Sequence, residues 1–201
     1  MLRKAFPWSN RNFGPDGITL TGHKVILRQK RIDDIPNDYM WRSDAELARL
    51  DATRPLEMSY SDFKKYSEQE LKFGSTRSKR FAIDTLKGIH IGNCMYYDID
   101  TRNREAELGI MIGDRAFWSK GYGSDTVSIF LKHVFKSTSL TRIYLHTLEW
   151  NHRARRSFTK SGFKEIKSVK RSGLAIVLME IWKSSWEQNQ SINSSSTIQP
   201  Q

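Results

Sequence analysis

The chain is short of cysteine: Cys94 is the only one in 201 residues. A lone thiol excludes an internal disulfide and fits a reducing compartment. Its neighbours, Ile91-Gly-Asn-Cys-Met-Tyr-Tyr97, read as a buried strand, which predicts a packed thiol rather than a nucleophile. No apolar run approaches the roughly 20 residues that a membrane span needs. The opening residues, Met1 to Asn10, carry charge with no continuous hydrophobic block behind them, so no secretory signal is expected and the cytoplasm is the expected location. The five histidines, His23, His90, His133, His146 and His152, lack paired-ligand spacing, so no metal site is expected. Acidic residues are also scarce. Asp and Glu number 22 against 33 Lys and Arg, leaving a net charge of +11. That balance favours an acidic partner, such as a nucleoprotein particle, and works against tight capture of a polycation. The basic residues are scattered and not interleaved with aromatic ones, so sequence-specific nucleic-acid binding has little support.

What is present suffices for a globular fold. Hydrophobic residues make up 38% and aromatic residues 11% of the chain, and the length suits one domain with its own core. Residues 1–22, rich in Asn, Gly and Pro, read as a leader segment, and residues 184–201, dominated by Ser, Gln and Asn, as a disordered tail. Between them, residues 23–183 alternate into elements. His23 to Gln29 is a strand, and Asp33-Asp34 is expected to cap a helix reaching Trp41. Ala45 to Leu50 and Phe63 to Phe73 are further helices, the second stopping at Gly74. Strand-like runs at Arg80 to Leu86, His90 to Tyr97 and Glu105 to Ile112 predict an antiparallel meander. A long helix follows, with Val127, Phe130, Leu131, Val134 and Phe135 on one face. Arg142 to Leu148 is a strand, Asn151 to Ser161 a helix, and Phe163 to Val169 with Leu174 to Trp182 a hairpin. The order predicts a mixed α/β (α+β) domain around a mainly antiparallel sheet.

One stretch stands out: Glu105-Ala-Glu-Leu-Gly-Ile-Met-Ile-Gly113, then Trp118-Ser119-Lys120-Gly121-Tyr122-Gly123-Ser124. A strand bearing carboxylates runs into a glycine-rich turn that opens a helix. Such a helix start offers unpaired N–H groups and a positive dipole end to a phosphate. Gly121 and Gly123 let the backbone approach a ligand without Cβ obstruction. No Lys follows Gly123 as in a triphosphatase loop, and Thr126 stands where a dinucleotide fold wants its third glycine.

A second stretch makes the turn specific. Asn151-His-Arg-Ala154-Arg-Arg-Ser-Phe158-Thr-Lys160-Ser-Gly162-Phe163 resembles the pattern Asn-x-x-Ala-x-x-x-(aromatic)-x-Lys-x-Gly-Phe of the GNAT acetyltransferase superfamily. Trp118-x-Lys-Gly-Tyr-Gly123 resembles that superfamily's pyrophosphate loop, and Glu107-Leu-Gly-Ile110 the strand before it. Asp33-Asp34 after a Leu-Arg strand looks like the branch of ribosomal-protein N-terminal (Rim-type) acetyltransferases. The resemblance spans residues 24 to 183.

The resemblance implies a GNAT-like fold with splayed central strands and acetyl-CoA as co-substrate. The backbone of Ile110, Met111 and Ile112 is expected to line the pantetheine arm. The loop Trp118 to Ser124 would bind the pyrophosphate through the amides of Lys120 to Ser124, and Asn151 would reach the pantetheine or cap its own helix. Phe158 would pack against the thiol end or in the core. An amide near Met111 would meet the oxyanion. Amine attack on a thioester needs a proton acceptor; Glu107 is the expected base, and Glu105 shares its side of the strand. If both faced the cleft, each would raise the other's pKa. Many relatives carry tyrosine where this chain has Phe158, so the leaving thiolate must take its proton from water or another donor, with Tyr122, Tyr144 and His146 as candidates. Trp41, Arg42, Asp44, Arg49 and Asp51 are candidate cleft residues. The expected activity is acetyl transfer to a primary amine, on a protein N-terminus or a small molecule. A ribosomal partner and a homodimer are further expectations. The alternative is a CoA-binding regulatory module with little catalysis.

Overall fold

The computed structural model describes residues 17–195 apart from residue 172. Eight strands form one sheet in the order β1-β2-β3-β4-β5-β6-β8-β7. β1 is Thr19–Thr21, β2 Val25–Gln29, β3 Ser78–Thr85, β4 His90–Asp100, β5 Glu105–Ile112, β6 Arg142–Leu148, β7 Lys164–Arg171 and β8 Leu174–Trp182. Neighbours run antiparallel except β5 and β6, which are parallel. The mixed, mainly antiparallel α/β domain expected from the pattern is the fold observed.

Three helices connect β2 to β3: α1 (Ile35–Ser43), α2 (Ala45–Leu50) and α3 (Tyr60–Phe73). Their ends follow local chemistry. The Asp44 side chain accepts the Leu47 N–H to start α2, and Ser59 accepts the Asp62 N–H to start α3. Asp34 does not cap α1 as expected. Its side chain is buried and gripped by Arg28, because a buried carboxylate needs a cation more than a helix start needs a cap.

One core fills the space between the sheet and the later helices, α4 (Tyr122–Ser137), α5 (His152–Lys160) and α6 (Lys183–Ser195). Val25, Leu27, Phe81, Ile83, Ala106, Leu108, Ile143, Leu145, Val177 and Met179 enter it from the strands. Val127, Phe130, Leu131, Val134 and Phe135 meet them from α4, the face that helical spacing predicts. Strand alternation sends the intervening residues to the other face, where α1 packs. There Arg28 joins Asp34, the residue just before α1, to Asp84 of β3, and Asn93 of β4 donates to Asp38 of α1.

Both expected chain ends need correction. Most of the leader, residues 1–16, lies outside the described residues, but Thr19–Thr21 is an edge strand paired with β2. The stretch from residue 184, expected as a disordered tail, continues as α6. Trp186 is buried there against Phe135, with ring centroids 5.6 Å apart. One large apolar residue inside a polar segment is enough to dock a helix that composition alone would leave loose. Residues 196–201 lie outside the described residues.

Candidate active site

The parallel β5–β6 ladder contains three pairs, Glu105 with Arg142, Ala106 with Ile143 and Glu107 with Tyr144. Beyond Glu107, β5 continues to Ile112 and β6 to Leu148 without pairing each other, so the sheet splits. The Gly113 N–H donates to Ile91 O on β4 at 2.9 Å, whereas Ile112 O accepts from Trp118 Nε1 at 2.6 Å. Successive peptide groups of a strand point to opposite edges. Met111, in step with Gly113, therefore faces β4, and Ile110 and Ile112 face the split. Of the amides near Met111, those of Ile110 and Ile112 are therefore the ones turned to the split.

The glycine turn stands at the wide end of the split. Gly121 takes φ +86°, a left-handed conformation that favours glycine, and starts α4. Gly123 has no such need: a Cβ there would meet nothing closer than 3.9 Å. A glycine with free space beside it, in the first turn of a sixteen-residue helix, leaves room for a phosphate against the open N–H groups. Lys24 Nζ reaches Lys120 O at 3.0 Å, and Asp125 of α4 holds that corner by accepting N–H groups of His23, Lys24 and Val25. Arg153 of α5 stacks 3.7 Å from the Trp118 ring centroid. Ser119 has φ +57°, and Ser124 Oγ lies 2.9 Å from Ser157 Oγ, tying α4 to α5. Residues of this turn thus fit an anionic, extended ligand lying in the split.

At the narrow end, Glu107 and His146 meet. His146 Nδ1 is 2.8 Å from Glu107 Oε1, and both side chains are largely shielded from solvent. Both lie on the sheet face opposite the main core. Beside them is a groove of about 380 Å³ lined by Arg142, Tyr144, His146, Lys167, Val169, Lys170 and Leu178. Burial, then the Glu107 and Glu105 charges, pushes the Tyr144 hydroxyl above its usual range. Burial, then Glu107, does the same to Tyr97, the antiparallel partner of Glu107 on β4. Both hydroxyls hold their protons.

Several expected residues have partners within the chain. Glu105 shares a side of β5 with Glu107 but is bound to Arg142 at 2.6 Å, and Arg142 also grips Glu180. The guanidinium, not a second free carboxylate, is what Glu105 faces. The Asn151 Oδ1 accepts the Ala154 N–H and caps α5. Phe158 is 8% exposed and packs on Phe163 within the main core. Tyr122 touches Phe117 edge-on at the start of α4. Trp41 is buried against His90, Asp44 is bound to Arg115, Arg42 approaches Asp51, and Arg49 stacks on Trp150. Cys94 is buried, and burial pushes its thiol up. Among the described residues, no group of three His, Cys, Asp or Glu is placed to hold a metal, and no helix is long and apolar enough to cross a membrane.

Residues 24–164 match the domain family described as acetyltransferase (GNAT) domain. The chain is 28% identical over 127 residues to uncharacterized N-acetyltransferase p20 of Bacillus licheniformis, covering 62% of this chain and 70% of that protein. Its fold is similar to that of a spermidine N-acetyltransferase from Vibrio cholerae in complex with CoA and spermine. The TM-score is 0.72 at 20% identity, over 81% of this chain and 98% of the other. An aminoglycoside acetyltransferase in complex with coenzyme A is similar at TM-score 0.69 and 19% identity, over 83% and 99% of the two chains.

Proposed function

The chain belongs to the GNAT acetyltransferase family, and we propose that it transfers acetyl from acetyl-CoA to a primary amine, with His146 held by Glu107 as the proton acceptor. The observation that carries this reading is their 2.8 Å contact at the narrow end of the β5–β6 split. Acetyl-CoA supplies a thioester carbonyl for the amine to attack. The Lys120 to Ser124 turn, with Lys24 beside it, would hold the diphosphate, and the free edge at Ile110 and Ile112 would bond the pantetheine arm. The Ile110 or Ile112 N–H would receive the oxyanion.

Glu107 was the expected base. Its carboxylate is instead committed to His146 Nδ1, which fixes that nitrogen as the N–H donor and leaves Nε2 to accept a proton. Glu107 is then a positioning residue. The carbon–nitrogen bond forms, His146 takes the amine proton, and the carbon–sulfur bond breaks. His146 then returns the proton to the departing thiolate. Tyr144 is the poorer donor, because a hydroxyl held above its usual range gives a proton reluctantly to a thiolate of ordinary pKa about 8.5. This accounts for catalysis with phenylalanine at position 158.

The acceptor amine belongs to a protein N-terminus or a small molecule. A ribosomal-protein acceptor is the finer reading, supported by the Trp118 to Gly123 sequence and the net charge of +11. Incubating purified protein with acetyl-CoA and a cell extract, then finding acetylated amines by mass spectrometry, tests the reaction. Free CoA released only in step with acetylated amine supports it. Tight CoA binding with no acetylated product contradicts it.

A further inference from the structure

A ring of contacts closes around the wide end of the split. The Trp118 indole N–H donates to Ile112 O at 2.6 Å, and the Arg153 guanidinium lies on the Trp118 ring, 3.7 Å from its centroid. Arg153 and Ser157 stand four apart on α5 and so share a face of that helix. Ser157 Oγ is 2.9 Å from Ser124 Oγ. A Cβ on Gly123 would sit 3.9 Å from Ser157 Oγ and 3.9 Å from the Ile112 side chain. The open space beside Gly123 is thus bounded by β5 and α5, with Arg153 one helical turn along from Ser157.

Arg153 is the charged member of this ring, half-buried and without an ion pair among the described residues. Burial pushes its guanidinium below the usual range, and only the charge of Glu46 works the other way. Glu46 is itself bound by Arg115 at 2.9 Å, and Arg115 also holds Asp44. Asp125, in the first turn of α4, accepts the N–H groups of His23, Lys24 and Val25. The indole bond to Ile112 O fixes the ring on which the guanidinium rests, and a guanidinium seated on a ring keeps its N–H groups for another partner. A half-buried cation with that fork unanswered fits an anion.

We propose that Arg153, seated on Trp118, binds the diphosphate of acetyl-CoA from the α5 side of the split, and so selects a phosphorylated thioester over its pantetheine counterpart. The proposal rests on the acetyltransferase reading. It adds a residue of α5 to a cofactor site otherwise drawn from β5 and the Lys120 to Ser124 turn.

The test is the affinity of wild type, Arg153→Ala and Arg153→Lys for CoA and 3′-dephospho-CoA by calorimetry, and for pantetheine by ligand-observed NMR titration. In Arg153→Ala both diphosphates are expected to bind about tenfold or more weakly, whereas pantetheine, which carries no phosphate, binds as before. Arg153→Lys keeps the charge without the planar fork and should recover only part of the loss. Trp118→Leu should weaken the same two ligands, and adding Arg153→Ala to it should cost little more, because the two side chains act as one unit. CoA bound as tightly by Arg153→Ala as by wild type overturns the proposal and leaves acetyl transfer standing. A loss seen with CoA but not with 3′-dephospho-CoA also overturns it, since Arg153 would then hold the 3′-phosphate. So does an equal loss of pantetheine, which would mark a role in the fold. Wild-type protein that binds no CoA overturns the acetyltransferase reading itself.

Discussion

His146 Nδ1 lies 2.8 Å from Glu107 Oε1 across two strands whose pairing has just ended, at Glu107 and Tyr144. The last ladder pair fixes both backbones, so the carboxylate and imidazole meet without a loop to position them. The same split that frees the β5 edge therefore holds the proposed proton acceptor at its narrow end.

Glu107→Gln keeps a hydrogen-bonding side chain beside His146 but removes the carboxylate that orients and charges the pair. Steady-state assays should show kcat lower by about 10–100-fold, with acetyl-CoA affinity unchanged by calorimetry. The melting temperature should move little, which separates positioning from a structural role.

Gly123→Ala introduces a methyl group that meets nothing of the chain within 3.9 Å. Stability should hold or rise by up to about 1 kcal/mol, as expected for Ala over Gly in a helix. The acetyl-CoA dissociation constant should rise about tenfold or more, because the methyl group occupies the space beside the helix N–H groups. Unfolding curves and calorimetry on the same preparation separate the two effects.

Arg28 joins Asp34 and Asp84 with contacts of 2.7 and 2.6 Å, buried between β2, β3 and α1. Arg28→Ala should cost about 3–5 kcal/mol in urea unfolding, since it strands two buried carboxylates. The pair also sets an acid limit. Burial works to raise the Asp34 carboxyl, and its Arg28 hydrogen bonds overcome this and bring it from 3.8 to about 2. The stability gained from the lowered value is complete above pH ~4 and lost as the pH falls towards 2. His90 beside it is pushed down by burial and then by Lys30, so charging it below pH 6.5 also works against the fold. In Arg28→Ala the loss of stability between pH 4 and 2 should be shallower than in the wild type.

Trp186→Ala should destabilise the fold by about 3–5 kcal/mol in denaturant unfolding, because it empties a site against Phe135. A disordered segment would give no change.

The α4 face was readable from its spacing, because five apolar residues recur every three or four positions along one helix. The turn at Gly121 to Ser124 was readable because its residue types answer a local backbone need. The Glu107–His146 contact was not, since it depends on the register of two strands distant in sequence. His146 could be named as a proton donor, but nothing local told whether it faced Glu107 or the core. Lys24 was missed for the same reason: Asp125, a hundred residues away, brings its turn to the glycine loop. α6 was misread because composition averages away one anchoring tryptophan.

The proposed mechanism depends on His146, and the pH dependence of kcat/KM in wild type and His146→Gln tests it most directly. Glutamine can still reach Glu107 but cannot carry a proton. His146 as proton acceptor predicts a loss of about 10²–10⁴-fold in kcat with acetyl-CoA binding intact, and a pH profile that differs from that of the wild type. A His146→Gln variant with wild-type turnover and an unaltered pH profile would contradict it.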